Sequence, residues 1–168
     1  MGFEEKTDPQ IAQWIINYER QPGGTALPFY RELLEERARR MQAKQRLNLE
    51  RSLEHLRQTA IQQICTSYGE LARASGVEWA QARRQMSGSG GHLDLLLDLC
   101  HARGLPLLTA ICVNQNRVAE GELEEEALSG FVAGARRLGF SVTDGRAFHH
   151  QCRDECWRWG RAKAGIAS

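Results

Sequence analysis

The chain has 168 residues, 42% of them hydrophobic, with 22 Lys and Arg against 21 Asp and Glu. That length favours one domain with enough apolar material for a core, and the near balance of charge excludes a global basic field, so any nucleic-acid site has to be a local patch. No apolar run approaches the ~20 residues that span a bilayer, and the opening residues lack a basic segment followed by an apolar one, so a soluble cytoplasmic protein without membrane contact is expected; five cysteines, an odd number with no secretion signal, are expected as thiols.

In chain order, Asp8-Pro9 predicts a helix start, with Asp8 as N-cap and Pro9 at the first helical position. Ile11, Trp14, Ile15 and Tyr18 share its docking face, and Pro22-Gly23-Gly24 stops it, so residues 1–28 read as a docking helix and linker. From 29 to 64 there is no Gly or Pro, and apolar residues recur at steps of three and four, which predicts helix. One continuous helix of that length would be ~50 Å long, wider than the domain, so it either breaks near Arg46-Leu47-Asn48 or projects as an arm that would favour a homodimer through 29–64. Its charged faces suit i,i+4 pairs such as Glu36 with Arg40, while the acid-free interval 37–46 is a candidate for phosphate contact.

Thr66-Ser67-Tyr68-Gly69-Glu70-Leu71-Ala72 predicts a capped helix, Ser67 and Glu70 having capping-box spacing, and Gly76 ends it. A second helix runs over 77–86 and stops at the Gly-rich stretch 87–91. Two short helices about a Gly-centred turn have the outline of a helix-turn-helix, whose second helix presents polar side chains to a groove. Gln81, Arg83, Arg84 and Gln85 are the groove candidates, with Arg73 and Arg117 as backbone-phosphate contacts.

The segment 66–72 resembles the Thr-Tyr-Gly-Glu-Leu-Ala segment of the O6-alkylguanine-DNA alkyltransferases and alkyltransferase-like proteins, and Ala82-Arg83-Arg84 and Gly104-Leu105-Pro106-Leu107-Leu108 follow in similar order. The resemblance covers 64 to about 118 and implies a winged-helix, DNA-reading scaffold. Cys112 falls close to the place of that family's cysteine, but Ile111 precedes it and Val113-Asn114 follow it, so the proline, histidine and arginine of the active site are missing. The resemblance therefore does not imply alkyl transfer, and an unactivated thiol in an apolar run reads as a small buried hydrophobe.

Residues 92–101 predict a Leu-rich helix ended by Gly104, with His92 and His101 at opposite ends and so poorly placed to share a metal. The run 105–113 predicts a strand buried on both faces, 114–117 a turn, and Val118 the start of a return strand, giving a hairpin wing with Arg117 at its tip. The acids of 120–126 suit the first turn of a following helix; the other reading is a carboxylate cluster for nuclease chemistry. Arg136-Arg137-Leu138-Gly139 closes that helix, and 140–143 predict a short strand.

Asp144 or Thr143 opens the last helix, where His149, Cys152 and Cys156 form one stripe. This stripe reads as core, and with no Cys-x2-Cys knuckle in the sequence neither a metal nor a cofactor is expected. Arg146, Arg153, Arg158, Arg161 and Lys163 with Trp157 and Trp159 suggest a second phosphate-contacting region, and residues 164–168 are expected to fray.

The sum is a predominantly helical α+β fold: a winged-helix-like centre with a small β-hairpin over 65–168, clasped by the long helix of 29–64 and a C-terminal helix. The expected function is non-catalytic binding of duplex DNA in a bacterial or phage setting. The alternatives are a protein-interaction or dimerisation module acting through the long helix, and a metal-dependent nuclease.

Overall fold

The computed structural model describes residues 2–165. The expected frayed end at 164–168 lies, from 166 onward, outside the described residues. Among the described residues, eight α-helices surround one pair of very short strands: α1 Asp8–Arg20, α2 Pro28–Gln42, α3 Leu49–Ile61, β1 Thr66–Ser67, α4 Tyr68–Ala74, α5 Trp79–Met86, α6 His92–Ala102, β2 Cys112–Val113, α7 Glu125–Arg137 and α8 Gly145–Lys163. The predominantly helical α+β class holds. No helix among the described residues is long and apolar enough to cross a membrane.

The core is organised on α6. Leu95, Leu96, Leu97, Leu99 and Cys100 are all buried, so this helix is apolar nearly all round, as a helix enclosed by others must be. α2 packs along it, and α3 packs on α8. Gly160 permits the second of these contacts, because a Cβ there would lie 2.1 Å from the Ala60 carbonyl oxygen.

One carboxylate interrupts the apolar surface of α6. Asp98 is fully buried. It accepts from Arg37 Nη2 on α2 and from Arg137 Nη2 on α7, each at 2.6 Å. Arg137 reaches on to Glu19 of α1 at 3.2 Å, and Glu19 in turn accepts from the Tyr30 hydroxyl at 2.9 Å. Burial works against the Arg137 charge, but the adjoining Asp98 and Glu19 carboxylates hold it firmly protonated. One charge network thus fixes four helices.

The stretch 29–64 is not a single arm. It breaks between α2 and α3, and both helices turn their apolar faces inward. Gln42 clasps the break, donating to the Leu47 carbonyl at 2.9 Å and accepting from the Leu49 amide at 2.6 Å. Asn48 caps α3 by accepting from the Arg51 amide at 2.9 Å, while its own backbone is bonded in both directions by the Ser75 hydroxyl. The i,i+4 pair of Glu36 with Arg40 is present at 2.6 Å.

Two further expectations are corrected. α1 is capped by Thr7 rather than Asp8, because Thr7 and Gln10 complete a reciprocal capping box. The hairpin wing is absent among the described residues. β2 pairs in parallel with β1, Thr66 opposite Cys112 and Ser67 opposite Val113, while Gln115–Arg117 forms a 3-10 turn that leads away from any return strand. The run 105–113 is nevertheless buried from Leu107 to Val113, mostly as a 3-10 helix over Leu108–Ile111, and 140–143 connects α7 to α8 without forming a strand.

Removing one partner from a buried ion pair leaves the other charges uncompensated. Asp98→Ala is therefore expected to destabilise the fold by about 3–5 kcal/mol, nearer the lower end because both arginines keep some solvent. A urea denaturation curve measures this, and a loss below ~1 kcal/mol would show that the network contributes little.

Candidate nucleic-acid interface

α4 and α5 are built as the sequence predicts. Ser67 caps α4 by accepting from the Glu70 amide at 3.2 Å, and Gly76 turns the chain with φ +88°, a backbone conformation that side chains other than glycine adopt at a cost. Ala82 and Met86 anchor α5 in the core, leaving Gln81, Arg83 and Arg84 exposed on its outer side.

Trp79, at the start of α5, is 41% exposed and stacks on Tyr68 with ring centroids 6.4 Å apart and planes 21° apart. The pair forms one wall of a groove of about 380 Å³, whose other lining residues include Ser67, Arg73, Glu78, Asn114 and Gln115. Aromatic faces, an arginine and side-chain amides on one open surface can stack on, neutralise and hydrogen-bond a nucleic acid.

The electrostatics single out this surface. Nine arginines of the protein are committed to carboxylates: Arg37 and Arg137 to Asp98, Arg39 and Arg40 to Glu36, Arg57 to Glu54, Arg103 to Glu35 and Glu50, Arg117 to Glu120 and Glu124, Arg146 and Arg153 to Glu122. Among the described residues Arg46, Arg51, Arg73, Arg83 and Arg84 have no such partner, and all five are exposed. They converge on the α4–α5 unit from two directions. Arg73, Arg83 and Arg84 belong to it. Arg46 donates its backbone N–H to Gln85 Oε1 at 3.3 Å, and the Arg51 guanidinium lies against Gly76, where a Cβ would be 2.9 Å from its Nη1. The other arginines without an acid or a hydrogen-bond acceptor, Arg20, Arg31 and Arg158, stand on three other helices.

Of the residues picked from sequence, Arg73 lines the groove, and Gln81, Arg83 and Arg84 stand exposed on α5. Gln85 is half-buried and engaged with the backbone of Arg46. Arg117 is turned to Glu120 at 2.6 Å and Glu124 at 3.0 Å, so it is not a free cation at a wing tip. The interval 37–46 contributes only Arg46, since Arg37, Arg39, Arg40 and Lys44 are all paired with acids. At the C-terminus, Trp157 donates its indole N–H to the Ile64 carbonyl at 3.0 Å and Arg161 donates to Gln63 at 2.8 Å, joining α8 to the segment after α3, while Arg146 and Arg153 pair with Glu122. Sequence reasoning missed Arg51, Trp79, Asn114 and Gln115, and reached Arg46 only as the end of the interval 37–46. Arg51 becomes visible once Asn48 is read as the cap of a new helix.

Of the acids of 120–126, Glu120 and Glu124 share Arg117, Glu122 and Glu125 share Arg146, and only Glu125 and Glu126 occupy the first turn of α7. The stripe of His149, Cys152 and Cys156 is core, as expected: His149 bonds the Ala110 carbonyl at 2.9 Å, Cys156 bonds the Leu107 carbonyl at 3.3 Å, and burial lowers the basicity of His149. All five thiols are buried and free. Burial pushes those of Cys100 and Cys152 up to about 12, and Cys112, 1% exposed, is pushed well above the ordinary thiol range. Such a thiol is held protonated and out of reach of a substrate.

Native protein at pH 7 is accordingly expected to react with an aromatic disulfide reagent only after unfolding, when all five cysteines label. Rapid labelling of Cys112 in the native state would overturn that assignment. The chain matches no family model, no curated protein and no solved structure.

Proposed function

We propose that the protein binds duplex DNA without chemistry on it, α5 entering a groove with Gln81, Arg83 and Arg84 while Arg46, Arg51 and Arg73 hold the backbone. The observation that carries this reading is the set of five exposed arginines around α4 and α5 that lack carboxylate partners, in a protein that otherwise pairs most of its arginines. Unpaired guanidiniums on one surface raise the local potential and release counterions when they meet phosphates. The similarity of 64–118 to the alkyltransferase scaffold supports the same reading, and the inaccessible Cys112 supports the non-catalytic form of it. The dimerisation alternative draws less support, since α2 and α3 bury their apolar faces within their own fold. The nuclease alternative also draws less, since Glu120, Glu122 and Glu124 are already neutralised.

Fluorescence anisotropy of a labelled random duplex, titrated with protein at a series of salt concentrations, tests the proposal. Each phosphate contact adds about −0.9 to the slope of log K against log salt, so Arg51→Ala combined with Arg73→Ala is expected to make the slope shallower by roughly 2 and to weaken binding at every sequence. No binding at low salt, or an unchanged slope in the double variant, would refute it.

A further inference from the structure

Away from that surface, Glu122, His149 and His150 each present a ligand atom within 4.8 Å of the other two. His149 is fully buried, and its Nε2 lies 2.9 Å from the Ala110 carbonyl oxygen. A carbonyl only accepts, so Nε2 carries the proton and Nδ1 presents a lone pair. That Nδ1 is buried and has no hydrogen-bond partner among the described residues. A buried acceptor left unsatisfied costs stability, and such a group in a native protein calls for an explanation. A metal-binding imidazole typically donates its other N–H to a backbone carbonyl, which fixes tautomer and ring orientation, and His149 is already held in that way. His150 and Glu122 complete the set from the solvent side. Both are only partly buried, and Nε2 of His150 faces Glu122 Oε1 at 2.6 Å.

We propose that Glu122, His149 and His150 form a zinc site joining α8 to the loop before α7. Two neutral imidazoles and one carboxylate are the donor set of a borderline cation, whereas magnesium and calcium prefer oxygen ligands throughout. Three protein ligands leave the fourth position of a tetrahedral ion to water. Arg146 and Arg153 now share Glu122, at 3.2 and 3.6 Å. Each also has a carbonyl acceptor, Leu123 for Arg146 at 2.6 Å and Gly121 for Arg153 at 2.8 Å, and keeps that acceptor when the carboxylate turns to a cation. Their positive charge lowers the affinity but does not fill the site.

The test is a titration of the full chain with zinc chloride against a chromophoric chelator, after removal of adventitious metal with EDTA. Cobalt(II) then serves as a spectroscopic stand-in. The expected result is one equivalent of zinc, with a cobalt spectrum of nitrogen and oxygen ligation that lacks thiolate charge transfer. Glu122→Gln and His150→Gln, both at partly exposed positions, are expected to weaken zinc by more than the ~10–100-fold that loss of a merely supporting group causes, with circular dichroism unchanged. His149→Gln removes a core side chain, so the two outer variants decide the matter. No zinc uptake, uptake unaltered by both outer substitutions, or a thiolate band in the cobalt spectrum would each overturn the proposal.

Discussion

The buried carboxylate of Asp98 is the constraint on which the arrangement of helices depends. A charge removed from water inside an apolar helix is tolerable only when paired and hydrogen-bonded, and Asp98 recruits Arg37 from one side and Arg137 from the other. Those two arginines fix where α2 and α7 lie along α6, and Glu19 with Tyr30 extends the same network to α1. Arg103, near the end of α6, repeats the device at the surface by bridging Glu35 of α2 and Glu50 of α3. Basic residues are thereby consumed in holding the fold. With overall charge near zero, cations left without acids stand out, and those on the α4–α5 unit supply the local patch that the composition required of any nucleic-acid site.

Much of this was legible in the residues themselves. Ser67 with Glu70, Gly76 and Asp144 act locally, through caps and turns within a few positions, and the elements they predict are the elements found. The longer errors have one origin, which is that the deciding partner lies far along the chain. The residues allowed either a break near Arg46-Leu47-Asn48 or a projecting arm, and the break is decided by Ser75 and Gln42, which hold the surroundings of Asn48. The strand at Cys112 has its partner at Thr66 rather than in a neighbouring hairpin, and no periodicity announces a two-residue parallel pair. Arg117 reads as a tip cation until Glu120 and Glu124 fold back upon it. His149 and His150 meet Glu122 only because α8 crosses under the loop before α7, so a spacing argument along one helix pointed to the cysteines instead.

The proposed likeness to the alkyltransferase scaffold rests on three stretches separated in sequence, 66–72, Ala82-Arg83-Arg84 and Gly104–Leu108, with Cys112 shortly after. β1 and β2 bring the first of these beside Cys112, and Tyr68, Trp79 and Asn114 border one groove. The chemistry differs from that family at the point that matters most. A nucleophilic thiol needs access and a neighbouring base or cation, and Cys112 is enclosed by the core, with burial holding its proton in place. The surface proposed to read DNA is therefore joined to a cysteine unsuited to attack.

The four tryptophans report on different parts of the protein: Trp14 against Phe29, Trp157 bonded to Ile64, Trp159 beneath Lys163, and Trp79 open on the proposed interface. A nuclear magnetic resonance titration of the labelled protein with a short duplex tests the account most directly. The predicted result is a shift of the Trp79 indole N–H and of the backbone amides of 73–86, with the other three indoles unmoved. Shifts confined to α8 and its two tryptophans, or no shifts at low salt, would contradict it.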